Sequence, residues 1–445
     1  MENQNEKWGF LHSATARMMM VGLLVLVLLI PLEFVKSLID ERAQRQKEVI
    51  SETTDKWGES VYFYGPMIKV PFKIYTETVS VNEVTKEAVT QKTSQTEFAY
   101  FYPETLNNKT KVSTKVLHRS NYESVVFNAQ MAFDGHYIRP DFASRDIQDE
   151  DIDWSKATVI IRTTNLKSIR NEVKISLNGK SYIFEPIYSE NANQEQSLET
   201  GPLDAEIFTG QKVSFAFDIA YNGSEQIKIV PIGKTTTAMM ESNWASPSFT
   251  GNFLPGETVK QISDKGFKTD WKVLQINRPF SQMSFNIIPD LREFAFGVDF
   301  IIPVDQYQQN ERAAKYGFLV IGLTFLIFFL IQTISKIKIH IFQYTMVGIA
   351  LIMFYTLLIS ITEHSSFKIA YVIAGTSVVV LITAYSYSIL KIRRFPMFIG
   401  ASLTALYSFI YVIIQLENYA LLFGSIGLFL ILAAVMYFSR KIEWS

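Results

Sequence analysis

The stretch GFLVIGLTFLIFFLIQTISKIKIHIFQYTMVGIALIMFYTLLISI, residues 317–361, decides the architecture of this chain. It holds two long apolar runs separated by a short basic segment around Lys336 and Lys338. About 20 mostly apolar residues suffice for a helix to cross a bilayer core. Working outward, six such runs occur, at about Met18–Ile39, Tyr316–Ile334, Tyr344–Ile361, Ile369–Leu390, Phe395–Leu416 and Tyr419–Phe438. Five of them crowd the C-terminal part of the chain with a few polar residues between each, a series that short buried helices of a soluble protein do not produce. The first run, with VGLLVLVLLI at its centre, follows Arg17 and ends in FVKSLIDER without a small-x-small cleavage site. That pattern predicts a retained signal anchor. Glu33 and Lys36 sit near its outer end, where such side chains snorkel.

Loop charges predict the orientation. With the N-terminus inside, the short inner segments carry Lys7, Arg17, Lys336, Lys338, Lys391, Arg393, Arg394, Arg440 and Lys441, and the short outer loops carry Lys368 beside Glu363 and Glu417. Such an excess on one side is the positive-inside bias of a multipass membrane protein with both termini inside. Tyr316, Tyr344, Tyr419 and Trp444 fall at the expected interfaces, where amphipathic rings are favoured. The expected layout is a cytoplasmic tail at 1–17, the first span at 18–39, an extracytoplasmic β-rich domain at 40–313, a five-helix bundle at 314–438 and a second cytoplasmic tail at 439–445. The bilayer is the first partner this layout implies.

The middle of the chain reads like a soluble domain. From Val61 onward, short aromatic and β-branched runs such as VYFYGPMIKVPFKIYTETVSVNEV, ESVVFNAQMAF, ATVIIRTTN and FKTDWKVLQI alternate with Gly, Pro, Asn and Asp. They predict about a dozen mostly antiparallel strands in a sandwich-like fold, the first of them broken at Gly65-Pro66. Asn178-Gly179 and Asn222-Gly223 predict two-residue hairpins. The polar run IDERAQRQKEVISETTDKW can continue the first helix, and Asp141 to Trp154 predicts an irregular or helical insertion.

Composition excludes several functions. Basic and acidic residues number 42 and 43, a net charge of −1, without the basic surplus of a nucleic-acid binder. The absence of cysteine removes disulfides, thiol catalysis and Cys-ligated metals. Gly233-Lys234-Thr235 resembles the end of a phosphate-binding loop, but Lys228 stands where its first glycine belongs, so a β-turn is expected. The acidic run with Asp146, Asp149, Asp151 and Asp153 lacks the EF-hand glycine and glutamate, having Trp154 and Ile160 instead, and reads as a solvated loop. His12, His118, His136, His340 and His364 show no metal-binding spacing, and no G-x-S-x-G elbow occurs. No catalytic, cofactor-binding or metal-ligating residue is expected, and the chain is not expected to be an enzyme. Gln332, Thr356, Thr383 and Gln415 are polar points inside spans that suit helix packing. DQYQQNERAAKYG, Asp305 to Gly317, predicts a helix entering the second span, with Glu311 and Lys315 paired at i,i+4 and Tyr307 and Arg312 placed to meet the β domain or lipid headgroups.

Several long motifs occur in one order: YGPMIKVP (Tyr64–Pro71), SNWASPSFTGNFLP (Ser242–Pro255), GFKTDW (Gly266–Trp271), DQYQQNERAAKYGFLVIGLTFLIFF (Asp305–Phe329), IHIFQYTMVGIALIMFYTLL (Ile339–Leu358) and SITEHSSFKIAYVIA (Ser360–Ala374). In these the chain resembles the CreD (Cet) family of bacterial inner-membrane proteins over essentially its whole length. The matching positions include Gly65, Pro66, Asn243, Trp244, Phe253, Pro255, Asp305, Gln306, Tyr307, Arg312, Lys315, Tyr316, Glu363 and His364, with no role attached. KSIRNEVKISLNGK departs from the family's Asp-x-Arg-Gly-type run, since Leu166 to Arg170 lack the glycine. The resemblance implies a link to a carbon-source-responsive two-component system, colicin tolerance, envelope integrity and responses to β-lactams. The expected function is an envelope role without enzymatic chemistry, through binding or scaffolding of a periplasmic protein, peptide or cell-wall component. The rival is a transporter or permeation protein using the C-terminal bundle. A mid-membrane cavity lined by Gln332, Thr356 or Thr383 favours the rival. An exposed groove on the β domain beside a closed bundle favours binding.

Overall fold

A computed structural model describes residues 14–81, 88–119, 122–142, 145, 147–164, 166–187, 196–257, 259–302, 306–335, 337, 339–390, 392–416 and 419–440. Asp146, Asp305, Lys336, Lys338, Lys391, Glu417, Lys441, Trp444, Lys7 and His12 lie outside the described residues. The chain divides into two compact units, Val49–Pro303, and Met1–Glu48 together with Val304–Ser445.

The second of these is helical. Its elements are α1 (Ala14–Trp57, whose last residues fall in the other unit), α2 (Gln306–Lys315), α3 (Gly317–Ser335), α4 (Ile341–Thr362), α5 (Phe367–Ile389), α6 (Arg394–Gln415) and α7 (Ala420–Ser439). Among the described residues, six helices, with α2 and α3 counted as one, are long and apolar enough to cross a membrane, as the apolar runs predict. The polar run after the first span does continue α1. That helix buries Leu28, Leu32, Val35 and Ile39, a spacing of 4, 3 and 4 that makes one narrow stripe. Leu23, Leu26, Ile30 and Phe34 remain exposed, as befits a helix sheathed in hydrocarbon. The stripe meets α4 at Gly348, where a β-carbon would stand 2.2 Å from Leu28 Cδ1; only hydrogen at that position lets the helices come so near. Tyr344 donates to Gln332 Oε1 (2.8 Å), and Tyr371 donates to the Tyr407 carbonyl (2.9 Å). Gln332 thus ties α3 to α4, as a buried polar group between membrane helices does.

The other unit is built of β1 (Val61–Val81), β2 (Ala88–Phe101), β3 (Thr105–Arg119), β4 (Tyr122–Ile138), β5 (Thr158–Thr163), β6 (Lys174–Leu177), β7 (Lys180–Ile187), β8 (Gln196–Thr200), β9 (Lys212–Ser224), β10 (Gln226–Ile229), β11 (Thr235–Ser242), β12 (Pro247–Gly251), β13 (Gln261–Ser263), β14 (Gly266–Leu274), β15 (Met283–Phe285) and β16 (Phe296–Phe300). Hydrogen bonding runs in the order 12-16-10-1-5-8-7-6-9-4-3-11-14-13, with β2 on β1 and β15 on β2. Pairing is antiparallel except for β1 with β10 and β3 with β11. Alternation is clear in β9, whose Val213, Phe215, Phe217 and Ile219 point inward. The sheet folds back on itself around those side chains. Phe63 of β1 stacks on Phe133 of β4 (centroids 4.3 Å apart), which stacks on Phe217 of β9 (4.9 Å). The two ends of the path also meet, Phe249 of β12 lying edge-on to Trp271 of β14 at 6.0 Å. This is the expected sandwich-like, mostly antiparallel architecture.

Two local expectations need correction. Gly65-Pro66, a cis peptide, does not break the first strand; it is a bulge, with the pairing to β5 slipping between Tyr64 and Met67. Asn178-Gly179 does form the β6–β7 hairpin, both residues at positive φ, but Asn222-Gly223 lies inside β9, opposite Asn128 and Phe127. Its glycine answers a packing demand: a β-carbon there would sit 2.4 Å from two atoms of the Phe127 ring. The segment from Asp141 to Trp154 is irregular where described, with 3₁₀ turns at Asp149–Asp151 and Trp154–Lys156.

Gly223→Val forces the Phe127 ring to move and is expected to cost about 1–3 kcal/mol by overpacking. Denaturant unfolding followed by tryptophan fluorescence reads the loss, and combining it with Phe127→Ala gives less than the sum of the two single losses.

Candidate functional site

Four motif residues of the β unit, Asn243, Trp244, Phe253 and Pro255, gather around β11, β12 and β14. Asn243 follows directly on β11, which pairs in parallel with β3 as far as Ser242 and Val112. Its side chain continues that pairing. Oδ1 accepts from the Thr114 N–H (2.7 Å) and hydroxyl (3.0 Å), while Nδ2 donates to the Thr114 carbonyl (3.0 Å). Amide thus meets peptide as one strand residue meets another. Trp244 donates its indole N–H to the Ser246 carbonyl (3.0 Å). Phe253 offers its carbonyl to the Trp271 indole N–H (3.1 Å) and packs edge-on to Phe296. Pro255 is buried beside them. Gly65 and Pro66 are buried far along the chain from these, and the Pro66 carbonyl accepts from Tyr137 (3.0 Å).

Beside Asn243 the outer face of the sheet carries an open groove of 460 Å³, formed by β3, β4, β11 and the β13–β14 turn. Lys111, Ser113, Asn128, Gln130, Glu241 and Lys265 present donors and acceptors along it. Lys111 pairs with Glu241 at 3.2 Å, both partly exposed, a contact worth at most about 1 kcal/mol in water and readily exchanged for a ligand's. Next to it β13 has one strand partner, β14, among the described residues. The groove therefore suits a polar chain that makes many neutral hydrogen bonds. Among the described residues, no group of three His, Asp or Glu side chains could hold a metal.

The motif residues of the membrane unit lie elsewhere. Glu363 caps α4 and meets Arg42 of α1 at 3.4 Å, and His364 is exposed in the following turn. Lys315 pairs with Glu311 at 2.7 Å, the expected i,i+4 pair. Gln306 is half-buried and Tyr307 buried. Arg312, Lys315 and Tyr316 line a small cleft of 360 Å³ against α6 and α7. Asp305 lies outside the described residues. Two residues with the clearest tertiary roles were not singled out by motif, Arg42 and Asn310. Asn310 is buried, its oxygen 3.5 Å from the Thr362 hydroxyl. The signal for Asn310 was its place on one helix face with Tyr307, Ala313, Ala314 and Gly317; for Arg42 there was none. Gln332, Thr356 and Thr383 are not in the lining of two clefts seen among the described residues of the bundle, of 790 and 360 Å³.

The remaining sequence candidates have structural explanations. The Gly233 carbonyl accepts from Arg278 Nη2 (3.0 Å), Lys234 pairs with Glu104 (2.9 Å), and Thr235 opens β11, so the segment is a bend leading into a strand. Buried Arg278 also donates to the Ile232 and Phe280 carbonyls and to Gln282, and burial pushes its guanidinium down to about 10. Asp153 accepts from the Ser155 hydroxyl (2.6 Å) and pairs with Lys156 (2.9 Å), contacts that hold its carboxyl below the usual range.

A family profile described as "Inner membrane protein CreD" matches residues 13–445. The chain is 28% identical over 432 residues to a protein of that same description from Escherichia coli strain K12, covering 94% of this chain and 91% of that one.

Asn243→Ala removes one acceptor and one donor from the Thr114 peptide, at an expected cost of about 1–3 kcal/mol, and lowers hydrogen-exchange protection at the end of β3. Asn243→Asp keeps the acceptor but sets a carboxylate oxygen against the Thr114 carbonyl, and is expected to lose at least as much. Acid has its own effect. His136 bonds Thr105 Oγ1 (2.7 Å), and desolvation, aided by Lys212, lowers its pKa. Native His136 therefore binds fewer protons than the unfolded chain once the pH falls below about 6.5. Stability present above that value is lost as the pH falls through the lowered one, and His136→Gln flattens that part of a stability–pH curve.

Proposed function

The chain belongs to the CreD family of inner membrane proteins, and from that premise we propose that it serves the cell envelope by holding an extended, polar periplasmic partner, a protein or peptide segment, in the groove beside Asn243. The observation that carries this reading is the groove itself, a row of amide, hydroxyl and paired charged groups on an open sheet face next to a strand edge. Strand edges and the grooves beside them are a recurrent way to bind extended chains. The lining contains no aromatic ring of the kind that stacks on sugar faces, so a wall peptide or protein suits it better than a glycan. The charge bias of the short loops supports a periplasmic β unit with both termini in the cytoplasm. The function is binding or scaffolding, not catalysis.

The absence of cysteine makes the test clean. With Ser113→Cys as the sole thiol, a membrane-impermeant maleimide added to intact spheroplasts is expected to label the protein; labelling only after lysis overturns the orientation. A strain lacking the gene is expected to become sensitive to β-lactams, detergents or colicin-like toxins. The intact gene restores resistance, whereas Lys111→Glu with Lys265→Glu restores it poorly despite normal protein levels. Full rescue by the groove variant sinks the site. A change confined to growth on one nutrient sinks the envelope role.

A further inference from the structure

The bundle leaves one helix standing apart. None of the residues in the apolar window of α7 is buried. The helix touches α6 where the Phe409 ring presses on Gly427, so closely that a β-carbon there would fall 2.0 Å from Cζ. To one side of that contact, α3, α6 and α7 enclose the cleft of 790 Å³, walled by side chains such as Leu326, Leu330, Phe398 and Leu430. Its charged lining residue is Arg394, in the first turn of α6. From Arg394 to Phe409 the helix rises about 22 Å, most of a ~30 Å hydrocarbon core. To the other side of Phe409 lies the cleft of 360 Å³, with Arg312 and Lys315 in its lining. The spans alternate in direction, so these cations and Arg394 mark opposite faces of the membrane.

We propose that the larger cleft is the seat of an anionic phospholipid, one acyl chain lying between α3 and α7 as far as Phe409 and the phosphate held by Arg394. A cleft this size with hydrocarbon-like walls forfeits dispersion contacts along those walls unless something apolar lies in it, so in a bilayer it fills. An acyl chain is slender enough to lie there. A guanidinium at the level of the headgroups selects a negative one, as basic pockets between membrane helices do. α7 is then attached to the bundle partly through lipid.

Native mass spectrometry of the full chain, released from nanodiscs of phosphatidylglycerol and phosphatidylcholine, tests this. The wild type is expected to keep one phosphatidylglycerol. Ala405→Trp with Ala434→Trp, which fills the cleft, is expected to reduce that retention at least tenfold, while Leu432→Trp, which is not part of the lining, leaves it unchanged. Arg394→Gln requires no repacking and is expected to cut the preference for phosphatidylglycerol about fivefold, the effect of about 1 kcal/mol per cation near the headgroups. Inorganic phosphate does not displace the adduct. The proposal is overturned if the adduct survives filling of the cleft, if Arg394→Gln leaves the preference intact, if free phosphate competes, or if the mass gained is a second copy of the chain.

Discussion

Hydrocarbon offers a backbone nothing to bond with, and most of this chain's organisation follows from that. Each buried N–H and C=O in the bilayer has to be satisfied within its own segment, so the apolar runs can only be helices, and their lengths of about 20 residues are set by the thickness to be crossed. Hydrophobicity then gives little reason for one helix to prefer another over lipid. The contacts that do hold the bundle are of other kinds. They are the close approach of Leu28 to Gly348, the Tyr344–Gln332 and Tyr371–Tyr407 hydrogen bonds, and the Arg42–Glu363 pair at the edge of the apolar zone. Where such contacts are few, as along α7 with its one close approach at Gly427, the helix stays exposed.

The β unit obeys the opposite rule. Water satisfies its edges, and the hydrophobic effect drives the sheet to close over its own aromatic face. Phe63, Phe133 and Phe217 come from strands far apart in sequence yet form one stack, and each end of the sheet path brings its own ring, Phe249 and Trp271, to the closing contact. The outer face is left free for polar groups, and the groove beside Asn243 belongs to it.

What the sequence disclosed depended on how local the cause was. The spans were legible because apolar length is a property of each segment alone, and the β9 pattern because alternation is too. Asn178-Gly179 was legible as a turn for the same reason. Asn222-Gly223 carries the identical local signal and was misread, since its glycine is dictated by Phe127, a partner almost a hundred residues away in the chain. Asn243 stood out as part of a motif, but its work on the Thr114 peptide could not be foreseen without the parallel pairing of β3 and β11. The groove was likewise invisible, being assembled from four separate stretches. Arg42 lies in a helix of ordinary polar texture, and nothing nearby in sequence points to Glu363.

The place of β1 inside the sheet path, with strands on both sides, has a consequence for how the protein is made. Its first half is flanked by β5 and β10, and β10 is covered in turn by β16. The strand is complete when the ribosome reaches Val81, but β16 ends at Phe300, roughly 10–45 s later at ordinary rates of synthesis. Throughout that interval an apolar strand edge stands open to whatever it meets. A nascent chain tethered by its first helix keeps that edge at one place in the cell, so whatever shields it has to be stationed there as well.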